Sequence, residues 1–192
     1  KAFVLTGPNK APIGKAWNSP DNLRTWEEAQ KARRLGQFIG VCSPRLLVVD
    51  IDCQDRGPFI AIVASLENAG HAFFWEYSAR GGHIFFRAPE HRNLSSTGIT
   101  VAVPGSLDTV PIDYRQGYAS QCVLAYTRKD IPDYRWGISV AMAFDDSPLG
   151  PAPDWLLPGE EAKEPRLALA PRPRTIAPNS SRVERWAESI LD

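Results

Sequence analysis

The chain has 192 residues, enough for one substantial domain or a domain with an appendage. Its hydrophobic content of 43% and charged content of 23% exclude a disordered or fibrous chain. The 22 basic and 22 acidic side chains cancel, which is not the bulk charge of a nucleic-acid binder, although carboxylates gathered at one site offset basic residues in such a sum.

Gly7 to Pro20 is rich in Gly, Pro and Asn and is expected to be irregular. Ser19 then offers an N-cap, Pro20 a first helical residue and Gly36 a stop, so the spacing of Leu23, Trp26, Ala29 and Ala32 predicts a helix over 20–35. Two apolar runs, 38–42 and 46–51, are separated by Ser43-Pro44-Arg45 and read as a hairpin or as adjacent strands, the second apolar enough to be central. Phe59, Ile62, Val63 and Leu66 predict a helix over 58–69, stopped by Gly70. Strands 71–76 and 83–87 flank a tight Ala79-Arg80-Gly81-Gly82 turn. A further pair, 110–114 and 120–126, is joined at Gln116-Gly117.

After Pro148, repeated prolines break any regular element. The expected organisation is a domain over 1–159, a Pro-rich linker over 160–180 and the start of a helical segment over 181–192. The first residue is Lys1 rather than Met, so the expectation is a piece of a longer protein. Cys42, Cys53 and Cys122 form no CxxC pair, which argues against a disulfide framework and a structural zinc site. With no signal-peptide pattern and no bilayer-length apolar run, the expected setting is reducing and cytoplasmic, without a membrane.

Strands mixed with helices suggest an α+β or mixed α/β sheet covered by helices. The strongest chemical feature is Leu47-Val48-Val49-Asp50-Ile51-Asp52. Side chains alternate along a strand, so Asp50 and Asp52 share a face. Two acids at the end of a buried strand need a counter-charge, and Mg²⁺ or Mn²⁺ prefers such hard oxygen ligands. The other open reading is a solvated strand end that caps the next turn.

In Ser78-Ala79-Arg80-Gly81-Gly82-His83, two glycines let backbone N–H groups approach an anion, with Arg80 and His83 beside them. An ordinary turn with His83 satisfied elsewhere is the alternative. Asp113 stands in a third strand, before Arg115 and a Gly117-Tyr118 turn, and taken singly reads as a strand-end or ion-paired acid. Asp52, His83 and Asp113 recur at intervals of about thirty residues, so three strands of one sheet could bring them into one groove.

Together, the DID strand, the SxRGGH turn with its aromatic strand, and the hydrophobic-Asp-x-Arg-x-Gly-Tyr segment resemble the primase-polymerase (prim-pol) branch of the archaeo-eukaryotic primase superfamily. Pro12-Ile13-Gly14-Lys15 with Trp17, and the glycine strand Gln37 to Val41, extend the likeness over about residues 10 to 130. The chain differs in carrying Ala125-Tyr126-Thr127-Arg128 where the family often has Pro-Pro-Ser, and no Cys/His cluster resembles the zinc stem of some members.

The resemblance implies an α+β fold, an RRM-like catalytic sheet packed beside an N-terminal α/β lobe. It implies template-directed nucleotidyl transfer by two Mg²⁺ or Mn²⁺ ions on Asp50, Asp52 and Asp113, with no zinc. His83 would grip the incoming nucleotide's phosphates, with Ser78, Arg80, Gly81 and Gly82 completing the cradle, Arg115 adding a phosphate contact and Tyr118 placed under the sugar or in the core. Lys15, Arg24 and Arg87 are candidate template contacts, whereas Lys31, Arg33 and Arg34 read as a solvated helix face. Implied partners are a single-stranded DNA template and primer, a dNTP (NTP remaining open), and a helicase module downstream in a phage or plasmid replication protein. The competing classes are a two-metal nuclease or phosphohydrolase and a non-catalytic RRM-like binding module.

Overall fold

A computed structural model describes residues 2–90, 94–118, 120–125, 135–139, 141–142 and 148–157. The linker and helix expected over 160–192 lie outside these residues, as do His91 and the end of the strand expected over 120–126. The described chain is α+β, with two sheets whose named strands all pair antiparallel.

The smaller sheet has the order β1-β2-β8, from β1 (Phe3–Thr6), β2 (Phe38–Val41) and β8 (Cys122–Val123). Helix α1 (Trp26–Arg34) packs on it through Trp26 and Ala29, with the Trp26 ring 5.2 Å from that of Phe3. The larger sheet has the order β6-β7-β3-β5-β4-β9. Its strands are β3 (Leu46–Ile51), β4 (Phe74–Tyr77), β5 (Gly82–Arg87), β6 (Ser96–Ala102), β7 (Thr109–Gln116) and β9 (Trp136–Ile138). Helix α2 (Gly57–Asn68) connects β3 to β4, and β5 lies between those two strands, which makes a split β-α-β unit. With β7 on the other side of β3, the four central strands follow the strand order of an RRM sheet, as the resemblance implied.

Strand alternation gives the large sheet two different faces. Leu47, Val49, Ile51, Ile84, Phe86, Ile112 and Tyr114 pack with Phe59, Ile62 and Leu66 of α2. Leu46, Val48, Phe74 and Phe85 pack instead against Phe3, Ile39, Val41 and Leu124 of the N-terminal lobe. Burying β3 on both faces is what its apolar run requires. The polar residues at its end therefore open into the seam between the two sheets.

Three sequence expectations need correction. The helix expected over 20–35 is a single 3-10 turn, Pro20–Asn22, followed by an extended link and then α1. The Ser19 side chain makes no cap hydrogen bond, whereas Thr25 and Glu28 form a reciprocal capping box, and Arg24 N–H donates to the Phe3 carbonyl at 2.8 Å. Backbone pairing to β1 and the better cap together move the helix start. The second correction is that β2 and β3 do not pair, because the turn at Ser43 directs them into different sheets. The third is that β7 does not pair with the strand after Gly117. Both edges of β7 are filled by β3 and β6, so β8 joins β2 instead.

Candidate active site

Three antiparallel registers generate the site. Asp113 of β7 lies opposite Asp50 of β3, Asp50 lies opposite His83 of β5, and His83 lies opposite Glu76 of β4. Residues directly opposite in a sheet share a face, so these four side chains form one row across four strands. Arg115, two residues beyond Asp113, projects from the same face.

Adjacent like charges in such a row repel, and Arg115 offsets this. Its Nη2 donates to Asp50 Oδ2 at 3.2 Å and to Asp113 Oδ2 at 3.1 Å. Asp113 Oδ1 also accepts the Gly98 N–H at 2.9 Å. His83 is nearly buried. One nitrogen, Nδ1, is 2.8 Å from Glu76 Oε1, and the other, Nε2, is 3.5 Å from Asp50 Oδ1. Burial works against a charged imidazole, but Cys122, Asp50 and Glu76 outweigh it and hold the His83 pKa well above the ordinary histidine value. Burial also raises the Cys122 thiol, which is therefore neutral at neutral pH.

Asp52 follows the end of β3 and is half exposed, with Arg80 Nη2 at 2.6 Å from its Oδ2. In the turn between β4 and β5, Ser78 Oγ donates to the Arg80 carbonyl at 2.8 Å and Ser78 N–H to the Gly81 carbonyl at 3.2 Å. Arg56, at the start of α2, donates to the Ser78 carbonyl and stacks over Tyr77 at 4.5 Å. Gly81 has a φ of +79°, and a Cβ there would collide with the Ile51 carbonyl on β3. The glycine turn thus packs tightly on the strand end that carries the carboxylates.

A cleft of about 220 Å³ opens over this row. Asp50, Ser78, Ala79, His83 and Arg115 line it from the large sheet, while Lys10, Gln121, Cys122, Val123 and Ala125 line it from the N-terminal lobe. Gly40 explains how that second wall fits. A Cβ at Gly40 would collide with Gln121 Oε1, whose amide nitrogen donates to the Lys10 carbonyl at 2.9 Å. The glycine strand therefore leaves room for a side chain that ties the N-terminal loop to β8.

The structure brings Asp50, His83, Asp113 and Arg115 into one constellation, with Ser78 on its margin. Tyr118 packs near Val4, Leu23 and Cys42, away from the residues that line the cleft. Arg87 lies at the opposite end of β5, four residues and roughly 13 Å of strand from His83. Lys15 and Arg24 are exposed and outside the cleft lining. The sequence reading passed over Glu76, Lys10 and Gln121. Glu76 was accessible to it, since a four-residue turn at 78–81 sets residue 76 opposite residue 83. Nothing near Lys10 or Gln121 in the sequence signals that the two meet.

A family model described as bifunctional DNA primase/polymerase, N-terminal, matches residues 2–155. The chain belongs to this family. No curated protein matches it. The match spans both walls of the cleft, so the constellation lies within the prim-pol region of the chain. Membership supports a DNA primase/polymerase type of function, with DNA and nucleotides as substrates, and the family generally uses divalent metals. Among the described residues of this prim-pol chain, no helix is long and apolar enough to cross a membrane.

The donor chemistry agrees with a hard divalent ion. Asp50 Oδ2 and Asp113 Oδ2 converge on one guanidinium nitrogen, which marks a point where two carboxylate oxygens already meet a positive charge. Among the described residues, no group of three or more His, Cys, Asp or Glu side chains closes around a single point. Two protein carboxylates with the remaining positions left to substrate oxygens and water is a common arrangement for Mg²⁺ at a phosphate site.

Proposed function

We propose that this domain extends a DNA primer on a single-stranded template by nucleotidyl transfer from a dNTP. The observation that carries the reading is the in-register row Asp113–Asp50–His83 at the cleft between the lobes. It combines two carboxylates with a cationic donor, the two charge types needed around a triphosphate.

Asp50 and Asp113 would hold Mg²⁺ or Mn²⁺, with Asp52 as the third carboxylate once it leaves Arg80. Bound there, one or two ions would neutralise charge on the triphosphate and leaving pyrophosphate and would favour the nucleophilic form of the primer 3′-hydroxyl. His83 Nε2–H donates to a non-bridging phosphate oxygen, and its cationic state strengthens that bond. Arg115 provides a second cationic donor to the same phosphates, and Arg80 with Ser78 lies along their path at the rim. The domain then acts within a larger phage or plasmid replication protein, followed by a linker and a helicase module.

A primer-template extension assay with dNTPs and Mg²⁺ or Mn²⁺ tests the reading. Wild-type protein extends the primer, and Asp50→Ala, Asp113→Ala and His83→Ala each reduce the rate by about a hundredfold or more. Template-dependent extension that persists at the wild-type rate in Asp50→Ala would sink it.

A further inference from the structure

Glu76 has no part in the scheme above, yet it is one of the most deeply placed charged groups in the chain. Its side chain has 0% exposure, and burial of a carboxylate is costly unless strong partners replace water. Two of its partners meet at one atom. Glu76 Oε1 is 2.8 Å from His83 Nδ1 and also accepts the Ala125 N–H at 2.8 Å. The first bond lies within the large sheet. The second crosses the seam, because Ala125 follows β8 of the smaller sheet and lines the opposite wall of the cleft.

We infer that Glu76 is a positioning residue, which locks the His83 ring with Nε2 toward the cleft and clamps the Ala125 wall against it. The inference rests on the polymerase reading of the site. A histidine ring is stiff about only one orientation at a time, and a hydrogen bond at one nitrogen decides where the other points. Steric packing alone does not make this choice. The Phe85 ring stands edge-on to His83 at a centroid distance of 6.2 Å, and Cys122 and Asp50 are the other groups facing it. Cys122 also hydrogen-bonds the ring, and Glu76 is the partner that holds Nδ1, at 2.8 Å. The same oxygen also fixes the width of the cleft, since it joins a strand of one wall to the backbone of the other.

Substitution of Glu76 separates this role from simple core stability. Glu76→Gln keeps an acceptor oxygen in place, so the dNTP KM and kcat stay close to wild type. Glu76→Ala removes it, and the dNTP KM rises by about tenfold or more, the size expected for losing a charged hydrogen bond, while primer-template affinity is unchanged. Should Glu76→Ala fail to fold, Glu76→Asp retains the buried carboxylate, draws the acceptor back by one methylene and raises the KM in the same direction. Proton NMR of protein carrying isotope-labelled histidine reads the bond directly. The slowly exchanging Nδ1–H signal of His83, assigned by its absence in His83→Gln, persists in Glu76→Gln and disappears in Glu76→Ala. A folded Glu76→Ala protein with a wild-type KM, or an Nδ1–H signal that survives it, overturns the inference. So does a Glu76→Gln protein as impaired as Glu76→Ala. Inactive wild-type protein would count against the polymerase reading, and the proton signal would still decide the role of Glu76.

Discussion

At the residue scale, the site is an arrangement of opposed charges held close by strand register. Asp50 and Asp113 are neighbours across the sheet, and Arg115 keeps them from repelling each other. Arg115→Ala should therefore lower the Tm in EDTA, and added Mg²⁺ should recover more Tm in this variant than in wild type, because an ion that binds only the folded state relieves the same repulsion. Differential scanning fluorimetry with and without Mg²⁺ checks this, and an equal Mg²⁺ response in both proteins contradicts it. Gly81 carries the other residue-scale constraint. Its positive φ and its close approach to the Ile51 carbonyl leave no space for a methyl group. Gly81→Ala should cost roughly 2–4 kcal/mol by urea unfolding, and it should displace the turn that carries Ser78 and Arg80.

At the scale of elements, local signals worked best where one segment could satisfy its own backbone. The α2 helix and strand β3 match the sequence expectation to within a residue or so, because their apolar patterns are long and their boundaries are marked. The α1 start failed that test. Ser19-Pro20 is a good start signal, but Thr25 with Glu28 satisfies two donors instead of none, and the link before it is claimed by β1. Thr25→Ala should consequently destabilise the protein by about 1 kcal/mol in urea unfolding, whereas Ser19→Ala should have little effect. Strands β1, β6 and β9 carry no clear strand signal in the sequence. Each is short or lies at an edge, and β6 is rich in Ser, Thr and Gly, so their pairing comes from a neighbour rather than from their own pattern.

At the scale of the whole molecule, two lobes close over a common apolar layer, and the cleft is the polar end of that layer. Cys42 reports on the packing of a smaller cluster in the N-terminal lobe, with Val4 and Leu23. Burial pushes Cys42 up to about 11, whereas an unfolded thiol ionises near ~8.5. The folded state therefore holds this proton more tightly. Its contribution is fully present below the unfolded value and is lost as pH rises through the folded one. The Tm should fall steeply from about pH 9 to 11, and Cys42→Ala should flatten that fall. A pH series of thermal melts measures it, and an unchanged slope in Cys42→Ala rules the account out. At neutral pH a thiol reagent should modify Cys53 first, since Cys42 and Cys122 are buried.

Sequence alone determined the chemical vocabulary of this protein: acids at the end of an apolar strand, a glycine turn before a histidine, and a third acid beside an arginine. It determined the family resemblance as well, because those residue types follow one another at fixed places along the chain. It could also have identified Glu76, since hairpin register is a local property. The tertiary structure alone decided that Asp113, Asp50, His83 and Glu76 stand in one row, because their registers depend on which strands become neighbours across long stretches of chain. It also decided that β2 leaves β3 for another sheet, which creates the second wall and brings Lys10, Gln121 and Ala125 to the cleft. Charges are placed by local pattern, but the seam in which they act is made by long-range pairing.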